Sequence, residues 1–201
     1  GVVTAIAARN RTGEGQYVEA SLNNSLISLM AFLSAEYFAT GKPPARSGNN
    51  HAIVAPYGMF KAKDGAIAVA PSNETYAIRF LDAIGLGELM DDERFCTNAD
   101  RMRNRSELLV IIDAATEKET VDHWIETINA AGCPCGRVMT LDEVFDDPQV
   151  RATEMVLDVD HGDHGTIRMT GFPVKMSKTP TRIHRPAPDL GQHNDEFFGE
   201  D

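Results

Sequence analysis

Apolar and polar positions change period several times along the chain, and each change marks an element. Val2, Val3 and Ile6, set among alanines, recur as the apolar face of a helix already under way at Gly1, with no capping residue before it. In the turn RTGEG that follows, Gly13 and Gly15 lack the third glycine and the strand-before, helix-after setting of a phosphate loop, so the stretch reads as a helix stop. Alternation in QYVEASL (16–22) predicts a strand. The apolar run NNSLISLMAFLSAEYFATG (23–41) predicts a helix capped by asparagine and closed by Gly41. Lys42-Pro43-Pro44 then forces an extended linker, the clearest domain boundary in the sequence.

The next stretch, RSGNNHAIVAPYGMF (46–60), has little helical signal and raises the question of whether it is a plain loop or a lid over chemistry. MFKAKDGAIAVAPS (59–72) alternates on either side of Lys63-Asp64-Gly65, which predicts a hairpin whose Asp-Gly pair supplies a positive φ at the turn. Ser72 or Asn73 caps a helix running to Gly85, and further helices are predicted at 98–116 and 120–131, the second starting at Thr120 with Trp124 on its apolar side. Thr140 and Glu143 stand at capping-box spacing within 138–150, and MVLDVDHGDHGTIRMTG (155–171) predicts a second hairpin. The proline-rich tail from Thr179 is expected to cross a surface, and no internal repeat is visible.

Composition narrows the function classes. A chain of 201 residues can bury a core without disulfides or metal. Nineteen basic against thirty acidic residues, a net charge of −11, argues against nucleic acid and acidic membrane surfaces as partners. Arg101, Arg103 and Arg105 splay around a helix axis, which is expected of a solvated face rather than a phosphate clamp. Cys133 and Cys135 flank Pro134, too closely for a zinc pair, and Cys96 stands apart. His161, Asp163 and His164 resemble a ligand set, but the glycines between them predict a turn, and no metal is expected. Sparse cysteines, no signal peptide and no apolar run near the roughly 20 residues of a membrane span make cytoplasm the expected compartment. The opening without methionine, inside a helix, is expected of a fragment with residues upstream.

No nucleophile elbow, Walker loop, dinucleotide fingerprint or zincin motif is present, and spacing alone describes a soluble α+β domain with a hairpin-and-helix core. The ordered stretches RNRTGEGQYVEASL, RSGNNHAIVAPYGMFKAKDGAIAVA, DDERFCTNADRMRNRSEL, HWIETINAAGCPCGRV, LDEVFDDPQVRATEM, GFPVKMSKTP and APDLGQH resemble the family III CoA-transferases. That group includes formyl-CoA transferase, carnitine CoA-transferases and 2-methylacyl-CoA racemase. The resemblance implies an α+β fold in which a small domain of hairpins and helices is flanked by pieces of a Rossmann-like large domain. Residues 1–42 would belong to the large domain, 43–177 to the small domain, and 178–201 would return to the large one.

The resemblance also implies an activity: CoA moves from an acyl-CoA to a free carboxylic acid acceptor through an aspartyl-CoA intermediate, with coenzyme A or acyl-CoA as substrate and no metal. The nucleophilic aspartate is expected upstream of Gly1, so no catalytic residue is assigned within the chain and the chain alone is expected to be inactive. Two chains are expected to interlock as a homodimer. The loop at 46–60 is implied to be a lid that excludes water, with Asn49, Asn50, His51, Pro56, Tyr57 and Asn73 as candidate substrate- or CoA-binding residues. Glycines found in this loop of formyl-CoA transferases are replaced here by 49–54, NNHAIV, as in other branches. In the racemase alternative a glutamate near the 73 position takes part in proton transfer, where this chain has Asn73, with Glu74 one residue on. The third alternative is a non-catalytic folding or interaction module.

Overall fold

A computed structural model describes residues 1–199. Contacts within the chain divide it into a unit Gly1–Arg137 and a second unit that begins at Val138.

The first unit starts with three helices, none of whose residues is buried as a whole. α1 (Val2–Thr12) ends on Gly13 at φ 81°, the left-handed cap expected of the RTGEG stop. The strand expected at 16–22 does not form: these residues have no ladder partner among the described residues, and Gln16–Ala20 are exposed. Alternation supplies one face of a strand but no neighbouring edge to bond it. The helix expected over 23–41 is two helices, α2 (Leu22–Leu29) and α3 (Ala31–Thr40), separated where Ala31 takes φ 29°. The cap of α2 is the Ser21 hydroxyl, which accepts from the Asn24 amide, rather than an asparagine, while Gly41 closes α3 at φ 68° as expected.

The core of this unit lies farther along. β1 (Gly58–Ala62) and β2 (Gly65–Val69) pair antiparallel from Gly58↔Val69 to Ala62↔Gly65, and β3 (Cys135–Arg137) joins the free edge of β2. The hairpin is where the alternation puts it, but its turn differs from the expectation. Neither Lys63 nor Asp64 has positive φ. The turn is held instead by its neighbours: the Asp64 carboxylate accepts from the Val121 amide at 2.8 Å and the Lys63 amide donates to the Glu119 carbonyl at 2.9 Å.

Four helices cover the sheet or extend its core: α4 (Glu74–Ala83), α5 (Asn98–Arg103), α6 (Arg105–Thr116) and α7 (Val121–Ala130), with a 3₁₀ turn at Gly87–Asp91. Asn73 caps α4 and Thr120 caps α7, each accepting from an amide three residues on. α6 packs on β1, and α7 on β2 and β3. Phe60, Ile67 and Val69 from the sheet meet Phe80, Leu81, Phe95, Leu108, Ile112, Trp124 and Ile128 in one apolar cluster. The Trp124 indole N–H reaches the Thr116 carbonyl at 2.7 Å, satisfying a buried acceptor at the end of α6.

The second unit contains α8 (Leu141–Asp146), α9 (Pro148–Ala152), a hairpin of β4 (Val156–Asp160) with β5 (Thr166–Thr170), and α10 (Asn194–Phe198). The expected capping box is present: the Thr140 side chain accepts from the Glu143 amide and the Glu143 carboxylate accepts from the Thr140 amide, the latter at 2.7 Å. Gly162 at φ 60° and Gly165 at φ 71° shape the 161–165 turn, where the His161 amide donates back to the Gly165 carbonyl. His164 turns away to the Asp189 carboxylate at 3.0 Å.

Candidate functional site

The segment between Arg46 and Gly58 contains neither helix nor strand, and hydrogen bonds both within it and from outside order it. Gly48 at φ 57° allows a turn in which the Asn50 amide donates to the Ser47 carbonyl at 3.0 Å. The His51 amide donates to the Tyr57 carbonyl at 2.9 Å and closes the loop on itself. Between those two residues lie Ile53, Ala55 and a cis Ala55–Pro56 bond.

Three side chains, two from α5 and one from the first residue of α6, fasten this loop. Asn98 accepts from the Ala55 amide and donates to the Ile53 carbonyl, both at 3.0 Å. Arg101 donates through Nε to the Ala55 carbonyl at 2.7 Å, and Arg105 through Nη2 to the His51 carbonyl at 2.7 Å. Positions 98, 101 and 105 keep i, i+3, i+7 spacing across a break at Asn104 (φ −102°, ψ 23°), where the helix expected over 98–116 divides into α5 and α6. A solvated arginine face is therefore corrected. Arg101 is 1% exposed, because a guanidinium has enough donors to satisfy several carbonyls that the loop leaves unpaired. Only Arg103 fits the expectation, on the surface against Asp100. The signal available in the sequence was the stripe that includes Asn98; taking the arginines alone hides it.

The far side of Arg101 meets the Glu74 carboxylate in a two-point contact, 3.1 and 2.7 Å, and its Nη1 also reaches the Phe95 carbonyl at 2.9 Å. Arg101 thus ties the loop at Ala55 to the first residue of α4. Asn73, one position earlier, directs its Oδ1 to the Tyr76 amide at 3.0 Å, so its side chain serves the helix end.

Among the loop candidates, His51 and Tyr57 come together. The His51 ring lies between Tyr57, at 4.8 Å and 24°, and Phe32 of α3, at 5.5 Å and 8°. Its Nδ1 accepts from the Ile53 amide at 3.3 Å, which places the proton of the neutral ring on Nε2 and leaves that N–H as a donor. Asn50 Oδ1 is buried with no hydrogen-bond partner, next to Gly58. A Cβ at Gly58 would lie 2.5 Å from that oxygen and 2.8 Å from the Asn49 carbonyl, so only glycine fits this close approach. Pro56 is buried and Asn49 is exposed.

The thiols are poor nucleophiles. Burial pushes Cys133 and Cys135 up to about 11, and the hydrogen bond from Cys96 to the Asp100 carboxylate raises the third. Asp100 is held below the usual carboxylate range first by the Thr97 hydroxyl, with the Cys96 thiol and the Arg103 charge adding to it. Among the described residues there is no grouping of three or more His, Cys, Asp or Glu side chains arranged to hold a metal ion. Nor is any described helix long and apolar enough to cross a membrane.

Comparison with known proteins adds what geometry alone does not. The profile of the family described as CoA-transferase family III matches residues 1–194. The chain is 31% identical over 199 residues to the succinate–glutarate CoA-transferase of Agrobacterium fabrum, covering 99% of this chain and 50% of that protein. It is 34% identical over 193 residues to the acetyl-CoA:oxalate CoA-transferase of Acetobacter aceti, covering 96% of this chain and 48% of the relative. A crystal structure of a CAIB/BAIF family protein from Brucella suis superposes with a TM-score of 0.74 at 30% identity, over 97% of this chain and 50% of that one. The chain therefore spans about half the length of the curated relatives it matches.

Proposed function

The chain belongs to CoA-transferase family III, and from that premise we propose that it supplies the C-terminal part of an enzyme moving CoA from an acyl-CoA to a free carboxylic acid. The observation that carries this reading is the family match over residues 1–194 together with transferase relatives covering 96–99% of the chain. Their names specify succinate, glutarate and oxalate, which makes a dicarboxylic acid the favoured donor or acceptor class.

In the proposed reaction an aspartate carboxylate, outside these 201 residues, attacks the thioester carbonyl. The C–S bond breaks, giving an acyl-aspartyl anhydride and CoA thiolate. That thiolate attacks the aspartyl carbonyl, releases the donor acid and leaves an aspartyl-CoA thioester. An acceptor carboxylate then repeats both steps in reverse order and departs as the new acyl-CoA. Anhydride and thioester are both lost to water, so the part assigned to this chain is exclusion of solvent and orientation. The loop from Asn49 to Tyr57 would do this, with the His51 Nε2–H as donor to an acyl or pantetheine oxygen. The same reading assigns 1–42 and 178–201 to a large domain, 43–177 to a small one, and the working enzyme to a homodimer in the cytoplasm.

The geometry around α4 favours transfer over the racemase alternative. Asn73 has no exchangeable acid proton and caps its helix, and the Glu74 carboxylate is engaged at both oxygens by Arg101. Neither is a free base.

The test is CoA exchange by the longer protein, with its aspartate intact, across a panel of acyl-CoA donors and mono- and dicarboxylate acceptors. New thioester should form without matching hydrolysis, and the 201-residue chain by itself should show no turnover. Absence of exchange across the panel would overturn the transferase reading; loss of α-deuterium from a branched acyl-CoA would replace it with the racemase reading.

A further inference from the structure

A cavity of about 330 Å³ opens behind the loop, between α3 and the α5–α6 junction, and Arg46, Arg103 and Arg105 all line it. Three guanidinium groups in one hollow stand out on a chain whose net charge is −11. Among the described residues only Arg103 is matched by a carboxylate, that of Asp100. Arg105 donates to neutral acceptors, the His51 carbonyl and the Met102 sulfur, and Arg46 makes no hydrogen bond or ion pair among the described residues. Ser47 and Ser106 add hydroxyl donors to the wall, and Glu36 is its one acidic member.

We infer that this cavity binds the free carboxylate of a dicarboxylic acid, the end that does not carry CoA. The inference rests on the transferase reading for the identity of the acid and on the charge distribution for the site. Two guanidinium groups without a carboxylate present donors in the flat fork that matches a carboxylate. The volume is at the small end of ligand sites, suited to a short diacid rather than a nucleotide. Arg105 touches both the cavity and the His51 carbonyl, so an anion held there bears directly on the loop that carries His51 and Tyr57. Substrate recognition and loop position share one side chain. Glu36 opposes the anion: its Oε2 is buried without a partner, and its charge weakens the hold on any carboxylate.

Calorimetric titration of the longer protein, in which α3 is expected to be covered, with glutarate, and with butyrate and inorganic phosphate as parallel arms, tests this. Glutarate should bind saturably and butyrate much more weakly. Arg46→Gln, at an exposed residue with no structural partner, should weaken glutarate roughly fivefold to tenfold, the value of one charge-assisted hydrogen bond at a partly wet site, with the thermal midpoint unchanged. Glu36→Gln should tighten it. Equal binding of butyrate, preference for phosphate, a silent Arg46→Gln, or weaker binding in Glu36→Gln would each overturn the inference. In the longer protein, Arg46→Gln should raise KM for a dicarboxylate acceptor and spare a monocarboxylate one. Exchange with both KM values unchanged would sink this inference and leave the transferase reading standing. Absence of exchange would sink that reading alone, since glutarate binding is measured independently by calorimetry.

Discussion

Arg101 carries more of the structure than any other charged side chain in the first unit. It donates to two carbonyls, of Ala55 and Phe95, both on residues 2% exposed or less, and its head pairs with a carboxylate whose side chain is half in water. Truncating it leaves those carbonyls without donors at about 1–3 kcal/mol each, with some recovery as water enters. Arg101→Ala should therefore lower the stability of the chain by about 2–4 kcal/mol in urea titration. Glu74→Gln should lower it by about 1 kcal/mol or less, because that partner is screened by solvent. The reverse ranking would mean that the ion pair, not the carbonyl bonds, holds the loop. Cys133 and Cys135 give a prediction of opposite chemistry. Burial pushes both folded thiols up to about 11 from the ordinary value of 9.0, so the folded state retains protons that the unfolded chain releases. Their contribution to stability is present below pH 9 and is lost as pH rises toward 11. Urea midpoints should fall across that window, and a Cys133→Ala, Cys135→Ala chain should show a shallower fall.

At the scale of elements, what was legible depended on whether the cause is local. Asn73, Thr120 and the Thr140–Glu143 pair mark helix starts because a cap needs only a side chain and an amide a few residues away. Asn73→Ala should cost about 1 kcal/mol of stability in urea titration, and Asn73→Asp close to nothing, since a carboxylate caps as well as an amide. If Asn73→Ala instead left stability intact and changed ligand binding, its reading as a cap would fail. The strand expected at 16–22 has the right alternation and forms no strand, because pairing requires an edge that alternation does not specify. The break at Ala31 has no glycine or proline to announce it. The loop at 46–58 is an intermediate case: its lack of period was visible, but its fasteners stand more than forty residues later at Asn98, Arg101 and Arg105. Of the six candidate residues, His51 and Tyr57 meet in a ring stack, Asn50 and Pro56 are packed into the same loop, Asn49 is exposed on it, and Asn73 joins it only through Glu74 and Arg101.

Across the whole chain, burial is uneven in a way that bears on the proposed domain division. Among the described residues, all but one of the buried apolar side chains lie between Ala55 and Cys133, the exception being Val159 at 9% exposure. None lies in α1, α2 or α3, although Leu22, Leu26, Leu29 and Phe38 there are between 65% and 86% exposed. Exposed apolar area on that scale is what a helix presents when its covering element is not part of the same chain segment. Tertiary packing supplies most of a helix's stability, and helices of eight to eleven residues are marginal without it. The small-domain assignment for 43–177 and the large-domain assignment for 1–42 therefore predict a wide spread of opening free energies within one molecule. In hydrogen exchange of the 201-residue chain, amides of β1, β2, α6 and α7 should be the slowest, and those of α2 and α3 should exchange within the dead time of the measurement. In the longer protein the α2 and α3 amides should slow by orders of magnitude while the β1–β2 amides change little. Equal protection of α2 and β2 in the short chain, independent of concentration, would show that α2 and α3 need no further cover, and the proposed division at Lys42 would have to be abandoned.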